Sequence, residues 1–300
     1  MSSVLYDAQG PRAKRRNVVF TVGFLIALAA VLWWVFSALE DKQQLEWAKW
    51  EPFFHTEAWS TYIWPGLQNT LKAAALAMVI ALPLGAVLGI SRLSDHVWVR
   101  VPAGIIVEFF RAIPVLVLMI FGLALYSEYT NISTEDRPLY AVVTGLVLYN
   151  AAVLAEIVRA GILALPKGQS EAAMAIGLRK GQVMRTILLP QAVTAMLPAI
   201  VSQTVVIVKD TALGGGVLTF SDLIAAVSPM SSYYGANIIA SFTVVGLIFI
   251  AINFALTTFA SWLERRLRRG KKSTGAVLDP NDASISGTMG TGAGGGVGGI

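Results

Sequence analysis

The chain has 300 residues, 55% of them hydrophobic and 14% charged, with a mean hydropathy of +0.65. That composition is too apolar for a soluble domain of this length and places the chain in a membrane. There is no Cys and there are only two His, His55 and His96, so disulfides, thiolate metal sites and cysteine nucleophiles are excluded and no metal cluster is expected. Lys and Arg number 23 against 18 Asp and Glu, a net charge of +5. Most of these cations flank apolar segments, which fits a cytoplasmic membrane surface rather than nucleic acid.

Residues 1–17 are polar and basic, with Arg12, Lys14, Arg15 and Arg16. Residues 18–39 follow without a charge, a run of about 22 residues and long enough to span a bilayer. A signal peptide is the competing reading, but the apolar run is too long, and Trp33 and Trp34 suit an interfacial belt. Residues 40–66 are acidic and aromatic, carrying Glu40, Asp41, Glu46, Glu51 and Glu57 among Trp47, Trp50, Phe53, Phe54, Trp59, Tyr62 and Trp64. They read as an external segment lying along the membrane surface.

A second span is expected over 67–90, with Gly85 and Gly89 as a Gly-x-x-x-Gly packing pair. A third covers 101–126 and holds Glu108, Arg111 and Pro114; Glu108 and Arg111 share a helix face and can pair. A fourth covers 139–162, with Asn150, and with Glu156 and Arg159 again at ion-pair spacing. A polar, basic loop occupies 163–190, and a fifth span runs over 187–208, broken by Pro190 and Pro198 and carrying Gln203. Lys209, Asp210, Thr211 and Gly214, Gly215, Gly216 follow at its expected end. The stretch to Gly235 cannot be placed by hydropathy. A sixth span covers 238–263, closed by Arg265, Arg266, Arg268 and Arg269. From Gly270 the chain becomes Gly-, Ser- and Thr-rich, and residues 265–300 read as a disordered cytoplasmic tail. Basic loops alternate with acidic ones, so six spans with both termini in the cytoplasm satisfy the positive-inside rule.

The loop between spans four and five carries a pattern of its own. Ser170 can cap a short helix, Glu171 would lie in its first turn, Ala172 and Ala173 give it a small surface, and Gly177 suits the position past its end. By spacing alone this is equally a docking knob or an ordinary helical connection. The order Glu171, Ala172, Ala173, Gly177, Ile187, Leu189, Pro190 resembles the EAA loop of binding-protein-dependent ABC importer permeases. The segments 155–162, 166–169, 189–192 and 209–211 resemble the polar amino-acid branch of that family, which includes histidine, glutamine, glutamate and arginine permeases. The resemblance covers about residues 67–263.

The resemblance implies an all-α integral membrane fold, one extra N-terminal helix (18–39) ahead of a five-helix type I importer core within 67–264. It implies a non-catalytic subunit with no cofactor of its own. ATP and Mg would be held by a separate cytoplasmic ATPase, consistent with the absence of a phosphate-cradling Gly-x-x-x-x-Gly-Lys-Ser/Thr run here. Expected partners are that ATPase, a second permease subunit identical or homologous, an extracytoplasmic amino-acid binding protein, and lipid. Ser170, Glu171, Ala172, Ala173 and Gly177 would seat in the ATPase. Lys209, Asp210 and Thr211 match the branch's cavity motif, with Ala212 where a Ser is usual, whereas alone the pair is better described as a helix-end anchor. Phe110 to Val117 resembles a second cavity segment, so Arg111 either meets a substrate carboxylate or pairs with Glu108; Pro114 and Gln203 complete the expected path. Glu156 and Arg159 are assigned to structure. The implied function is ATP-driven import of a polar amino acid, glutamate- or glutamine-like, across the cytoplasmic membrane by alternating access. The rival is an ion-coupled secondary transporter or channel using Lys209, Asp210, Glu156 and Arg159 as a relay.

Overall fold

The computed structural model describes residues 10–269. Among them every regular element is helical. Helix α1 (Pro11–Asp41) is followed by the short α2 (Trp47–Trp50), a tight turn over Glu51–Phe54 and α3 (Thr56–Ala58). A wide π-helical turn, Trp59–Ile63, leads into α4 (Trp64–Ser91). Then come α5 (Val97–Ala112), α6 (Val115–Tyr129), α7 (Arg137–Leu163), α8 (Lys167–Ala175) and α9 (Lys180–Val183). A second π-helical turn, Met184–Leu188, opens α10 (Leu189–Val217), and α11 (Val227–Tyr233) and α12 (Ile238–Arg269) complete the order.

Five helical stretches are long and apolar enough to cross a membrane, and α5 with α6 makes a sixth when the two are counted as one broken span. That pair is bent by 98°, so the span expected over 101–126 is two helices meeting at a break. Pro114 has no N–H to donate and its ring pushes the preceding residue out of the helical region. Ile113 accordingly sits at φ −90° and ψ 131°. Two further expectations shift. The fifth span does not end at 208, because α10 continues through Asp210 and the three glycines to Val217. Helix α12 runs on to Arg269, so residues 265–269 are helical, and the tail expected from there lies, over 270–300, outside the described residues. Residues 1–9 lie outside them too; Arg12 to Arg16 ride on the first turns of α1.

The core forms where α4 crosses α7. Lipid offers little hydrophobic drive for helix pairing, so close van der Waals approach through small side chains does the work. Ala77 and Ala81 of α4, and Ala151 and Ala155 of α7, are buried at this seam. A Cβ on Gly85 would stand 2.7 Å from Leu154 Cβ, and one on Gly89 2.5 Å from Ala155 O, so both positions admit only glycine at this separation. Around this pair α6 and α10 close a second layer over Met119, Val142, Leu146 and Ile207. Helix α1 has no buried residue and leaves Phe20, Phe24 and Ile26 exposed along its length, as expected of a helix surrounded by lipid.

The two ends of the bundle differ. One end is aromatic: Trp59 Nε1 donates to Phe53 O at 2.8 Å, Trp47 stacks on Phe54 at 5.1 Å, and Asn237 Nδ2 ties the segment down through Lys49 O at 3.0 Å. The other end is basic and carries Arg92, Lys180, Arg185 and the loop around Glu171.

Candidate functional site

The bend between α5 and α6 presents residues 111–115 to a cleft walled by α7 and α10. The cleft consists of two adjoining cavities of about 560 and about 670 Å³, each within the range of small-molecule sites. Arg111, Ala112, Tyr149 and Val153 line both. The first is completed by Glu108, Glu156, Ile157 and Ala160. The second is completed by Pro114, Gln203 and Asp210 among others. Of the four shared residues Arg111 is the charged one, and carboxylates line each cavity, Glu108 and Glu156 the first and Asp210 the second.

The charged groups form one network. Glu156 receives both carboxylate bonds from Arg159 Nε at 3.1 Å and a bond from Arg92 Nη1 at 2.8 Å. Arg92 Nη2 bonds Glu108 Oε1 at 3.0 Å. Arg111 lies 3.8 Å from Glu108 and 4.0 Å from Glu156, beyond hydrogen-bonding range of either. The expected pairs Glu108–Arg111 and Glu156–Arg159 are thus both present, but the first is loose because Arg92 takes its place. Arg92 is only 16% exposed and was not singled out in the sequence, where it reads as one more cation past a span end. Its role is visible only once α4, α5 and α7 are assembled.

Farther along the cleft, Gln203 Nε2 donates to Asn150 Oδ1 at 2.6 Å, and Asn150, fully buried, donates to Leu146 O at 2.8 Å. Asp210 reaches the cleft; Lys209 and Thr211 do not line it. Thr211 is buried and donates to Val208 O at 2.8 Å, within its own helix, and Lys209 is exposed. Of the three residues expected to act together, Asp210 is the one that reaches this cleft. In a helix consecutive side chains point about 100° apart, so only one of three neighbours faces a given wall. Of the six expected path residues, Arg111, Pro114, Gln203 and Asp210 come together.

The loop at the basic end is built on α8. Gly177 has φ +88°, the left-handed value that glycine tolerates, and its N–H bonds Met174 O while that of Leu178 bonds Ala173 O. These two bonds are the Schellman termination of a helix. The start differs from expectation. Pro166 precedes the helix, and Ser170, three residues inside it, donates to Lys167 O at 2.8 Å instead of capping. Glu171 consequently lies in the second turn. Ala173 is buried against the body, so the outward surface comprises Glu171, Ala172, Met174 and Ile176, the last 80% exposed. Lys180, just beyond, forms an ion pair with Asp95 and donates to Leu93 O at 3.2 Å.

Segment 218–226, unreadable by hydropathy, folds between the ends of α4 and α10. Leu223 N–H donates to Thr70 Oγ1 at 3.0 Å and Asn69 Nδ2 to Ser221 O at 2.8 Å. Asp222 is 1% exposed; its Oδ1 accepts from Ala225 N–H at 2.8 Å, and its Oδ2 is buried without a hydrogen-bond partner. Burial pushes the Asp222 carboxyl up to about 6. Among the described residues no three His, Asp or Glu side chains gather as a metal site would require.

The profile of the family described as binding-protein-dependent transport system inner membrane component matches residues 81–269. A glutamate transport system permease protein of Corynebacterium glutamicum is 45% identical over 233 residues, covering 78% of this chain and 85% of the relative. A glutamate/aspartate import permease protein of Escherichia coli O6:H1 is 33% identical, covering 68% of this chain and 93% of the relative. Among solved structures, one described as an amino acid ABC transporter with histidines superposes at a TM-score of 0.60, with 29% identity over 68% of this chain and 93% of that one. The inward-facing methionine transporter matches at a TM-score of 0.55 and 23% identity, a likeness of fold.

Proposed function

The chain belongs to the family of inner-membrane components of binding-protein-dependent transport systems, the non-catalytic permease subunits of ABC importers, and we propose that its cargo is glutamate or a closely related polar amino acid. The ion-coupled alternative has no support from the family or from the relatives.

The observation that carries the substrate reading is Arg111. Its guanidinium lines both cavities yet makes no hydrogen bond, because Arg92 and Arg159 already occupy the carboxylates beside it. A planar fork of donors held only by two long ion pairs, in a cleft, is suited to a further carboxylate. Asp210, which lines the same cavity as Arg111, is suited to the ammonium group of the same zwitterion. Gln203, oriented by Asn150, adds a polar contact between them. Ionisable groups at membrane depth face a protein interior or a wet cavity, and this arrangement gives Arg111 and Asp210 a use there. Lys209 is left to the helix surface.

The basic end faces the cytoplasm in this reading, as the positive-inside rule requires, with both termini on that side. The face of α8 bearing Glu171, Ala172, Met174 and Ile176 docks on a cytoplasmic ATPase that holds ATP and Mg. The open side of the cleft is closed by a second permease subunit, and an extracytoplasmic binding protein delivers cargo at the aromatic end. ATP binding in the partner rocks the docked loop and alternates access to the cleft.

The test is ATP-driven uptake of labelled glutamate in vesicles holding the chain, its ATPase and its binding protein. Arg111→Met is expected to raise the glutamate KM at least about tenfold, as the loss of a charge-assisted bond does, while ATPase binding persists. Unchanged glutamate uptake by Arg111→Met removes the substrate assignment. ATPase-independent uptake by the unaltered protein removes the importer reading.

A further inference from the structure

The connection between α4 and α5, residues 92–96, touches both the cleft and the docking loop. At its start Arg92 spans two helices, donating to Glu156 on α7 at 2.8 Å and to Glu108 on α5 at 3.0 Å, at the basic end of the cleft. At its far end Asp95 pairs with Lys180, the first residue of α9, and the same ammonium bonds Leu93 O at 3.2 Å. The Lys180 hydrogen bond holds the Asp95 carboxyl below the usual carboxylate range, with His96 and Arg100 nearby contributing in the same direction. Leu93 itself packs in an apolar cluster with Leu165 and Met184, which flank the docking loop on either side. A five-residue connection is thus fastened at one end to the element that would receive the ATPase stroke. At the other it is fastened to the carboxylates that line the cleft.

We propose that residues 92–96 form a transmission strap, in which the Asp95–Lys180 pair couples movement of the docking loop to Arg92, and Arg92 locks the basic end of the cleft by bridging Glu108 and Glu156. The inference rests on the importer reading above and adds a mechanical part to it. When the docking loop moves, Lys180 draws on Asp95 and Leu93. Arg92 lies only three residues away on a connection too short to absorb the displacement, so its fork is pulled from one or both carboxylates. The α5 wall of the cleft is then no longer tied through Arg92 to α7, while the close α4–α7 seam stays shut. Release also exposes Glu108 and Glu156 to Arg111, which stands within 4.0 Å of both and can take up the pairing Arg92 leaves. Arg92 and Lys180 are positioning residues in this scheme and touch no cargo.

The pair is exposed, so reversing its charges leaves the fold intact, and an exposed pair of this kind is worth a few-fold in an equilibrium. The experiment reconstitutes the full chain with its ATPase and binding protein and measures amino acid carried per ATP hydrolysed, together with ATPase copurification. Asp95→Lys and Lys180→Asp, each alone, are expected to lower that ratio about two- to fivefold with copurification unchanged; the double exchange is expected to return it to within about twofold of the parent. Arg92→Lys, which keeps the charge but cannot fork across two carboxylates, is expected to lower it as well. Single exchanges that leave the ratio unchanged, or a double exchange that does not recover, overturn the strap. Loss of ATPase copurification on Lys180→Asp overturns it too, by assigning Lys180 to the docking surface. An unaltered protein that shows no ATP-dependent uptake sinks the importer reading instead, so the two failures are distinguishable.

Discussion

Stability should fall with rising pH around one buried carboxyl. Asp222 lies in segment 218–226, outside the spans, with Oδ1 bonded to Ala225 N–H and Oδ2 buried without a hydrogen-bond partner. Burial raises its pKa from 3.8 to about 6, against the opposing pull of the Ala225, Ile224 and Asp222 backbone N–H groups. The folded state therefore holds this proton more tightly than the unfolded chain does. The contribution of this group is largest below about pH 4, falls as the pH rises through about 6, and is gone by about pH 7. A shift of this size amounts to about 3 kcal/mol across the whole window, of which about 1.4 kcal/mol falls between pH 5 and pH 7.5. For a domain of this size that corresponds to an unfolding temperature about 3–6 °C lower at pH 7.5. Asp222→Asn keeps an oxygen for the Ala225 N–H and carries no charge, so it should melt higher than the parent at pH 7.5 and show a flatter profile. The assay is thermal unfolding in detergent, followed by intrinsic fluorescence at the two pH values. An Asn variant no more stable than the parent at pH 7.5, with the parent's slope retained, would refute the buried-carboxylate argument.

Two other expectations concern packing and polar satisfaction. Gly89→Leu would drive a side chain into Ala155 O and Val158, and overpacking at such a seam costs about 1–3 kcal/mol or more; monodisperse yield on size exclusion should drop sharply, while Gly104→Leu, whose Cβ position has no neighbour within 4 Å, should behave as the parent. Gln203→Leu strips the partner from buried Asn150 Oδ1 and should destabilise by about 1–3 kcal/mol; combining it with Asn150→Val should restore part of that loss, and a double variant no better than the single would show that the pair is not the unit.

The long apolar runs, their number and the alternation of basic and acidic connections follow from local composition, because a bilayer demands about 20 apolar residues per helix and biases cations to one side. The end of α8 was legible too, unlike its start: the Gly177 termination is set by residues adjacent in the chain, and a single glycine at φ +88° suffices to stop the helix. Gly85 and Gly89, a weak signal by spacing, prove to be a close seam of the bundle only because α7 happens to present Ala151, Leu154 and Ala155 there.

What the chain could not announce is what depends on assembly. The partner of a charge on one helix is chosen by distance in space, so Arg92, 16 residues from Glu108 and 64 from Glu156, displaces the local pairing of Glu108 with Arg111 that helical spacing suggests. The face on which a residue falls depends on the helix phase, so Asp210 enters the cleft while Thr211 turns inward to Val208 O. The same phase buries Ala173 and brings out Ile176. Composition by itself determined that this chain crosses a membrane and roughly which stretches do so. Tertiary packing alone decided which of its few charges meet, because in a low-dielectric interior an ion must find a counter-ion wherever the fold supplies one.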